Sequence, residues 1–290
     1  MNTLNLQEID SLEATVIIDN ELDPLSPPAP NTVQITGTLG TIGLNSRHNL
    51  TDRGGACKEM RMEDICCAAH GLSILVAIRM IKDAKQSHGR SDDLVIDLHP
   101  DRPVYRGIAL PEDIISLEAD PTFDELTDAG AVVNKSNEAH TVLDDMFLIS
   151  GEIPRLTPYE TGLKNAVRYD PEENDWYSDE LIADERFLAC NIKGKGIVVF
   201  TGCSHAGVVN TTKNALDLIG NDVPLHTVVG GFHLAMSDEV QIQSTVADLK
   251  RLDPAVLMPG HCSGWRAKFA IEKSMPGTLV PCTVGIKITF

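Results

Sequence analysis

The chain has 290 residues, of which 42% are hydrophobic and only 4% aromatic, and its formal net charge at pH 7 is −18. This is a globular composition with an aliphatic core, sized for one large domain or two small ones. So acidic a surface repels phosphate backbones and anionic headgroups, which argues against nucleic acid and anionic membranes as partners. The seven cysteines, at positions 57, 66, 67, 190, 203, 262 and 282, are odd in number and include no C-x-x-C. A disulfide framework is therefore not expected, and a reducing compartment is. The start of the chain, MNTLNLQEIDSLEATV, has neither a basic region nor an apolar run of the signal-peptide kind. The longest apolar stretch, ICCAAHGLSILVAI at 65–78, is interrupted by His70 and falls short of the roughly 20 residues a membrane span needs. The expected location is cytoplasmic.

In chain order, ATVIID (14–19) reads as a strand and PLSPPAPNT (24–32) as a proline-rich loop. Residues 24–64 as a whole lack a clean period and predict an irregular or mobile segment. HGLSILV (70–76) reads as a half-buried strand and AIRMIKDAKQ (77–86) as an amphipathic helix. No Gly, Pro, Asn or Asp punctuates the change of period between them, and one continuous helix over 65–86 is the alternative. LVIDL (94–98) is a short strand ending in the turn HPDRP, and DDMFLISGEI (144–153) is a strand running into a turn. The Pro-, Tyr-, Asp- and Glu-rich stretch 156–186 predicts a loop with short helices. FLACNIKGKGIVVFTG (187–202) carries a strong β-hairpin signal. After it the chain alternates: a helix at 211–220 stopped by Gly220, a strand at 225–231, a helix at 237–252 with Ser237 as N-cap, and a strand at 255–260. This rhythm predicts a mixed α/β layer fold.

Three strand ends share one design. They are Gly202-Cys203-Ser204-His205, Gly230-Gly231-Phe232-His233 and Pro259-Gly260-His261-Cys262. Ligands of open α/β sheets bind at the carboxyl ends of strands, and glycines there let the backbone turn sharply. Neutral imidazole is the usual ligand for zinc and related divalent metals. His205, His233 and His261 are therefore candidate metal ligands. Cys203 and Cys262 lie beside two of them; a thiolate ligand is one option, but packing of small side chains at strand ends is the preferred reading. A Cys262 nucleophile with His205 or His233 as base is a weaker alternative. His99 and Arg102 in DLHPDRP are candidate contacts for a polar or anionic substrate group, with local pairing of Arg102 as the rival reading. Arg155 is a further candidate anion contact, or the partner of a nearby carboxylate. Asp97 and Asp101 are weak acid/base candidates, and Ser150 and Glu152 form a turn at a strand end.

The motifs TGCSHAGVVN, VVGGFHL and MPGHCSGW, in this order, resemble the metallo-β-lactamase fold superfamily, in particular its dihydropterin-ribofuranosylaminobenzene phosphate synthase-like branch. TVIIDNELD (15–23), AAHGLSILV (68–76), VIDLHPDRP (95–103) and FLISGEIPRLTPYE (147–160) resemble the same branch, so the likeness runs from about residue 14 to the end as one domain over 1–290. The resemblance implies an αββα sandwich with a metal site on one edge, and metal-dependent hydrolase or synthase-like chemistry on a small-molecule substrate. It implies that His205 and His261 are metal ligands, and that His233 is a ligand or a substrate contact. Zinc is the foremost metal, with iron or manganese as alternatives.

The superfamily signature H-x-H-x-D-H is missing: the sequence contains no H-x-H. The resemblance places that motif between the strand-like HGLSILV and the helix-like AIRMIKDAKQ, where this chain joins the two near 76–78. The first half of the sandwich is then expected to be incomplete, the metal site short of ligands, and activity weak or absent. A degenerate non-catalytic member or truncated isoform, with a binding or regulatory role, is the alternative.

Overall fold

The computed structural model describes residues 3–15, 48–50, 57–59, 85, 89, 93–220, 222–282 and 287–290. Its elements in chain order are β1 (Glu8–Ile9), β2 (Glu13–Thr15), β3 (His48–Leu50), β4 (Cys57–Glu59), β5 (Val95–Leu98), β6 (Arg106–Ala109), β7 (Ile114–Ser116), α1 (Phe123–Asp128), β8 (Val132–Lys135), β9 (His140–Val142) and β10 (Phe147–Ile149). Then come β11 (Ala166–Asp170), β12 (Asp175–Ser178), β13 (Phe187–Ile192), β14 (Gly196–Thr201), α2 (Val208–Ile219), β15 (Leu225–Gly231), α3 (Glu239–Leu252), β16 (Val256–Gly260), a 3-10 turn (His261–Ser263), α4 (Trp265–Ser274) and β17 (Lys287–Thr289).

The described residues group into two compact units. One takes those within Met1–Leu39, Glu138–Gly162 and Leu181–Phe290; the other takes those within Gly40–Asn137 and Leu163–Glu180. The first unit is built on a seven-stranded sheet in the order β16-β15-β14-β13-β10-β9, with β1 added in parallel to β13. The β13–β14 hairpin forms as its apolar runs require, pairing Leu188 with Phe200 and Cys190 with Val198. From β14 onward the strands are parallel, β14 to β15 and β15 to β16. Parallel neighbours need long crossovers, and α2 and α3 supply them.

This parallel half is buried on both faces, which is why its strands are nearly continuous aliphatic runs rather than alternating ones. Ile197, Val199, Val228 and Leu257 are fully buried in the main core, alongside Ala215, Val246, Leu249 and Ile271 from the helices. Val198 and Met258 belong to a second apolar cluster with Cys190, Ile192 and Phe290. In α3 the buried Ile242, Val246 and Leu249 recur at helical spacing and form the face that meets the core. The cap of α3 differs from the sequence expectation: Asp238, not Ser237, is the N-cap, its carboxylate accepting from Gln241 N at 2.8 Å. Both residues are good caps, and only the backbone geometry distinguishes them.

The second unit contains a six-stranded sheet, β12-β11-β6-β7-β4-β3, and the parallel pair β5–β8. Here 156–186 departs from the expected loop with short helices, because β11 and β12 form an antiparallel hairpin. Val167 and Tyr169 are buried while Arg168 and Asp170 are half-buried. The surrounding acidic residues mask that alternation in the sequence. The Asp170 carboxylate closes the turn by accepting from Glu172 N at 2.8 Å, the kind of local bond that favours Asp in turns. Strands β3 and β4 lie within the 24–64 stretch; the remainder of it, and the 76–78 junction, lie outside the described residues. Among the described residues no helix is long and apolar enough to cross a membrane.

Candidate metal centre

The three Gly-His strand ends come together at one rim of the first unit. Registration of the parallel strands forces this: Phe200 pairs with Val229, and Gly230 and Gly231 pair with Pro259 and Gly260. The loops after β14, β15 and β16 therefore leave the sheet side by side. Their approach is tight. Gly231 N donates to Gly202 O at 2.7 Å. A Cβ on Gly230 (φ +134°) would stand 2.0 Å from Thr201 O, and one on Gly231 would stand 2.7 Å from Gly202 O and 2.8 Å from Cys262 Sγ. Only glycine fits at either position.

Each loop then turns through a left-handed residue that is not glycine: Ser204 (φ 57°), His233 (φ 51°) and His261 (φ 48°). Such residues are uncommon and gather at functional sites. The turns are stitched by Thr201 Oγ1 and Ser204 Oγ at 2.8 Å, by Phe232 N donating to Ser263 Oγ at 3.0 Å, and by Ala235 N donating to Cys262 O at 3.1 Å.

His205 is oriented by Glu185. The imidazole Nδ1 stands 2.9 Å from Glu185 Oε1, which also accepts from His205 N at 2.9 Å, while Ala206 N donates to Oε2 at 2.7 Å. Burial pushes the Glu185 carboxyl up, but the His205 imidazole and the two backbone N–H groups outweigh it and hold its pKa below the usual value. A carboxylate on one ring nitrogen is what fixes the tautomer and aim of a metal-ligating histidine. The His205 and His233 rings meet edge-on at 4.7 Å. His233 Nδ1 is buried without a hydrogen-bond partner among the described residues, a costly condition for a polar atom unless something else binds it.

His261 faces the two thiols. Cys203 Sγ lies 2.8 Å from His261 Nε2, and the ligand atoms of Cys203, His261 and Cys262 all lie within 4.8 Å of one another. Cys262 Sγ donates to Cys203 O at 3.3 Å, and its thiol interacts with the Cys203 thiol and the His233 imidazole. The Cys203 thiol is pushed well up by that interaction with Cys262 and by burial, and the Cys262 thiol is pulled down chiefly by the interaction with Cys203, with His233 and His261 adding to it. Cys190, Cys203 and Cys262 form no disulfide.

A small open cleft lies beside the histidines, lined by Glu160, His205, Phe232, His233 and Gln241 among others. Glu160 caps α2: its carboxylate accepts from Val209 N at 2.9 Å, Asn210 N at 2.8 Å and Thr157 Oγ1 at 2.9 Å. Burial raises its pKa despite those three donors. Neither Glu160 nor Glu185 was legible as a site residue, since their partners lie some 50 and 20 residues away and no local motif marks them.

The remaining candidates make local contacts. His99 and Arg102 belong to the second unit. His99 is buried, with its Nδ1 accepting from Asp101 N at 3.1 Å. Arg102 donates to Pro121 O, pairs with Asp120 at 3.7 Å and lies over the Phe123 ring at 5.3 Å. Asp101 pairs with Arg168 at 2.8 Å, and Asp97 accepts from Asn134. In the first unit Arg155 donates to the carbonyls of Ile153 and Leu181, and Ser150 Oγ accepts from Phe187 N at 3.0 Å.

No family model matches the chain. An 87-residue stretch is 37% identical to the 7,8-dihydropterin-6-methyl-4-(beta-D-ribofuranosyl)-aminobenzene-5'-phosphate synthase of Methanocaldococcus jannaschii, covering 30% of this chain and 29% of that protein. A 125-residue stretch is 30% identical to an uncharacterized protein of the same organism, covering 43% of each. The chain thus matches less than half the length of either curated relative. A crystal structure of a metal-dependent hydrolase of the β-lactamase superfamily superposes with a TM-score of 0.57 at 21% identity, over 68% of this chain and 72% of that one.

Proposed function

From the premise that this chain has the metallo-β-lactamase fold, we propose that it binds one divalent metal at the rim of β14, β15 and β16, with His205, His233 and His261 as ligands, and that it is a weak metal-dependent hydrolase or group-transfer enzyme acting on a small molecule. The observation that carries this reading is the arrangement of His205 and His233. One imidazole is aimed by a buried carboxylate, and the other keeps a buried nitrogen without a partner among the described residues. Three imidazoles would match the ligand number of a catalytic zinc site with one position open, with His261 moving toward the other two, since its ring now converges with Cys203 and Cys262. Zinc is the foremost metal; iron and manganese are the alternatives. Bound there, the ion would supply Lewis acidity and a water of lowered pKa.

The chain's own residues do the rest. Glu185 holds His205 in one tautomer with Nε2 left to bind. The Gly230-Gly231 turn carries His233 to the cleft. Phe232, 1% exposed, closes the apolar floor behind it. The likeness to a metal-dependent hydrolase supports a small-molecule substrate, and the free thiols support a reducing compartment such as the cytoplasm.

The missing H-x-H-x-D-H limits the site to a single ion and its turnover to a low level, and it favours a second reading, a non-catalytic binding member or truncated isoform. Elemental analysis of the purified chain and of His205→Ala separates the two. The first reading expects no more than one metal per chain, lost in the variant, with slow turnover of a chromogenic ester or phosphodiester that follows metal content. Two metals per chain would overturn the single-site reading. A folded chain without metal would leave the second.

A further inference from the structure

We propose that the ion at this rim is held by sulfur, with Cys203 and Cys262 joining His261 in a Cys2His site that selects a thiophilic metal. The inference rests on the reading of one metal ion at this rim, but it replaces the ligand set: His205 is not a ligand in it, so the two readings expect opposite results for His205→Ala. Its first support is geometric. Both thiols and the imidazole already converge, with Cys203 Sγ 2.8 Å from His261 Nε2 and all three ligand atoms within 4.8 Å. Tetrahedral ligands at zinc distances of about 2.0–2.3 Å lie about 3.3–3.8 Å apart, so the cluster closes on an ion with movements of about 1 Å.

The second support is placement. The cluster is assembled from the ends of β14 and β16, the two strands that flank β15, and the 3-10 turn that fixes His261 and Cys262 in succession. All three residues come from the last third of the chain, so the cluster does not depend on the absent histidine motif. The third is the fourth corner. His233 contacts Cys262, and its Nδ1 is buried without a partner among the described residues. Two thiolates change the selectivity: sulfur ligands favour zinc, cadmium and cobalt over magnesium and manganese, which prefer oxygen. Deprotonating both thiols makes binding pH-dependent and releases protons.

The test uses the full chain, reduced, stripped with chelator and titrated with cobalt(II) and then zinc. The expected result is about one cobalt per chain, a near-ultraviolet thiolate-to-cobalt charge-transfer band that zinc abolishes, and no comparable binding of manganese. Cys203→Ser and Cys262→Ser should each weaken cobalt binding at least 10-fold and lose most of the band, while His205→Ala retains it. Should a serine variant fail to fold, alkylation of the unmutated chain serves instead: zinc should slow modification of Cys203 and Cys262, mapped by peptide mass, by at least 10-fold.

Cobalt bound without the band, or a band that survives the double serine variant, would overturn the sulfur site. If that cobalt is lost in His205→Ala, the three-histidine reading stands. A band and stoichiometry unaffected by His205→Ala, but lost in both serine variants, would leave the sulfur site standing and remove His205 as a ligand. No binding of cobalt or zinc would remove both.

Discussion

Replacing Glu185 by Gln tests whether this buried carboxylate organises the rim. Three N–H groups point at its two oxygens, from His205 N, His205 Nδ1 and Ala206 N, at 2.7–2.9 Å. Glutamine keeps one acceptor oxygen and turns an NH2 toward the remaining donors, so at least one charge-assisted bond is lost. Bonds to a charged group contribute about 1.5–3 kcal/mol each, and relief of the carboxylate's desolvation offsets part of the loss. The net expectation is destabilisation of about 2 kcal/mol at pH 7, which at a slope of about 2 kcal/mol/M lowers the urea midpoint by about 1 M.

The pH dependence is the sharper readout. The folded pKa of Glu185 is held below its usual value. Its contribution is therefore present above the unfolded value of about 4.3 and is lost as pH falls through the folded value. Urea unfolding of both proteins between pH 7 and pH 3 should show the gap closing only in the acid part of that range. A gap that stays constant down to pH 3, or no gap at pH 7, would refute this account of Glu185.

Gly207→Ala should cost at least about 3 kcal/mol, because the residue has φ +93° and a Cβ would lie 2.1 Å from Glu160 Cδ, driving the carboxylate off the start of α2; thermal unfolding reads the loss. Leu249→Ala should destabilise by about 2–5 kcal/mol, since Leu249 is fully buried between α3 and the core, with no change in metal content per folded chain. Thr122→Ala removes the hydroxyl half of the α1 capping box, the bond Thr122 Oγ1 accepts from Glu125 N, while Thr122 N can still donate to the Glu125 carboxylate; it should cost about 1 kcal/mol in denaturant titration.

The rim was legible because its signal is local. Glycine followed within three residues by histidine at the end of an aliphatic run states both the turn and the side chain it presents, and the structure brings His205 and His233 into ring contact. Cys203 and Cys262 were visible but read as packing. Their convergence with His261 is a contact between residues 58 positions apart, which no spacing encodes. Glu185 and Glu160 stand in loops among other acidic residues, and only tertiary contact singles them out. The β11–β12 hairpin was hidden by composition, because charged residues on its outward positions imitate a loop. Mixed α/β class, by contrast, followed from alternation alone in the second half, where each helix is the crossover that a parallel strand pair requires.

Glu160 has a consequence for what the cleft can accept. The start of a helix offers free N–H groups and a partial positive charge, and phosphate groups commonly settle there. In this chain the N–H groups of Val209 and Asn210 are already taken by a carboxylate belonging to the protein, and that carboxylate lines the cleft. Burial raises its pKa already, and a second anion beside it would raise it further. This side of the cleft therefore repels a phosphate and favours a hydroxyl, an amide or a cation. A phosphorylated molecule could enter only with its phosphate turned away from α2.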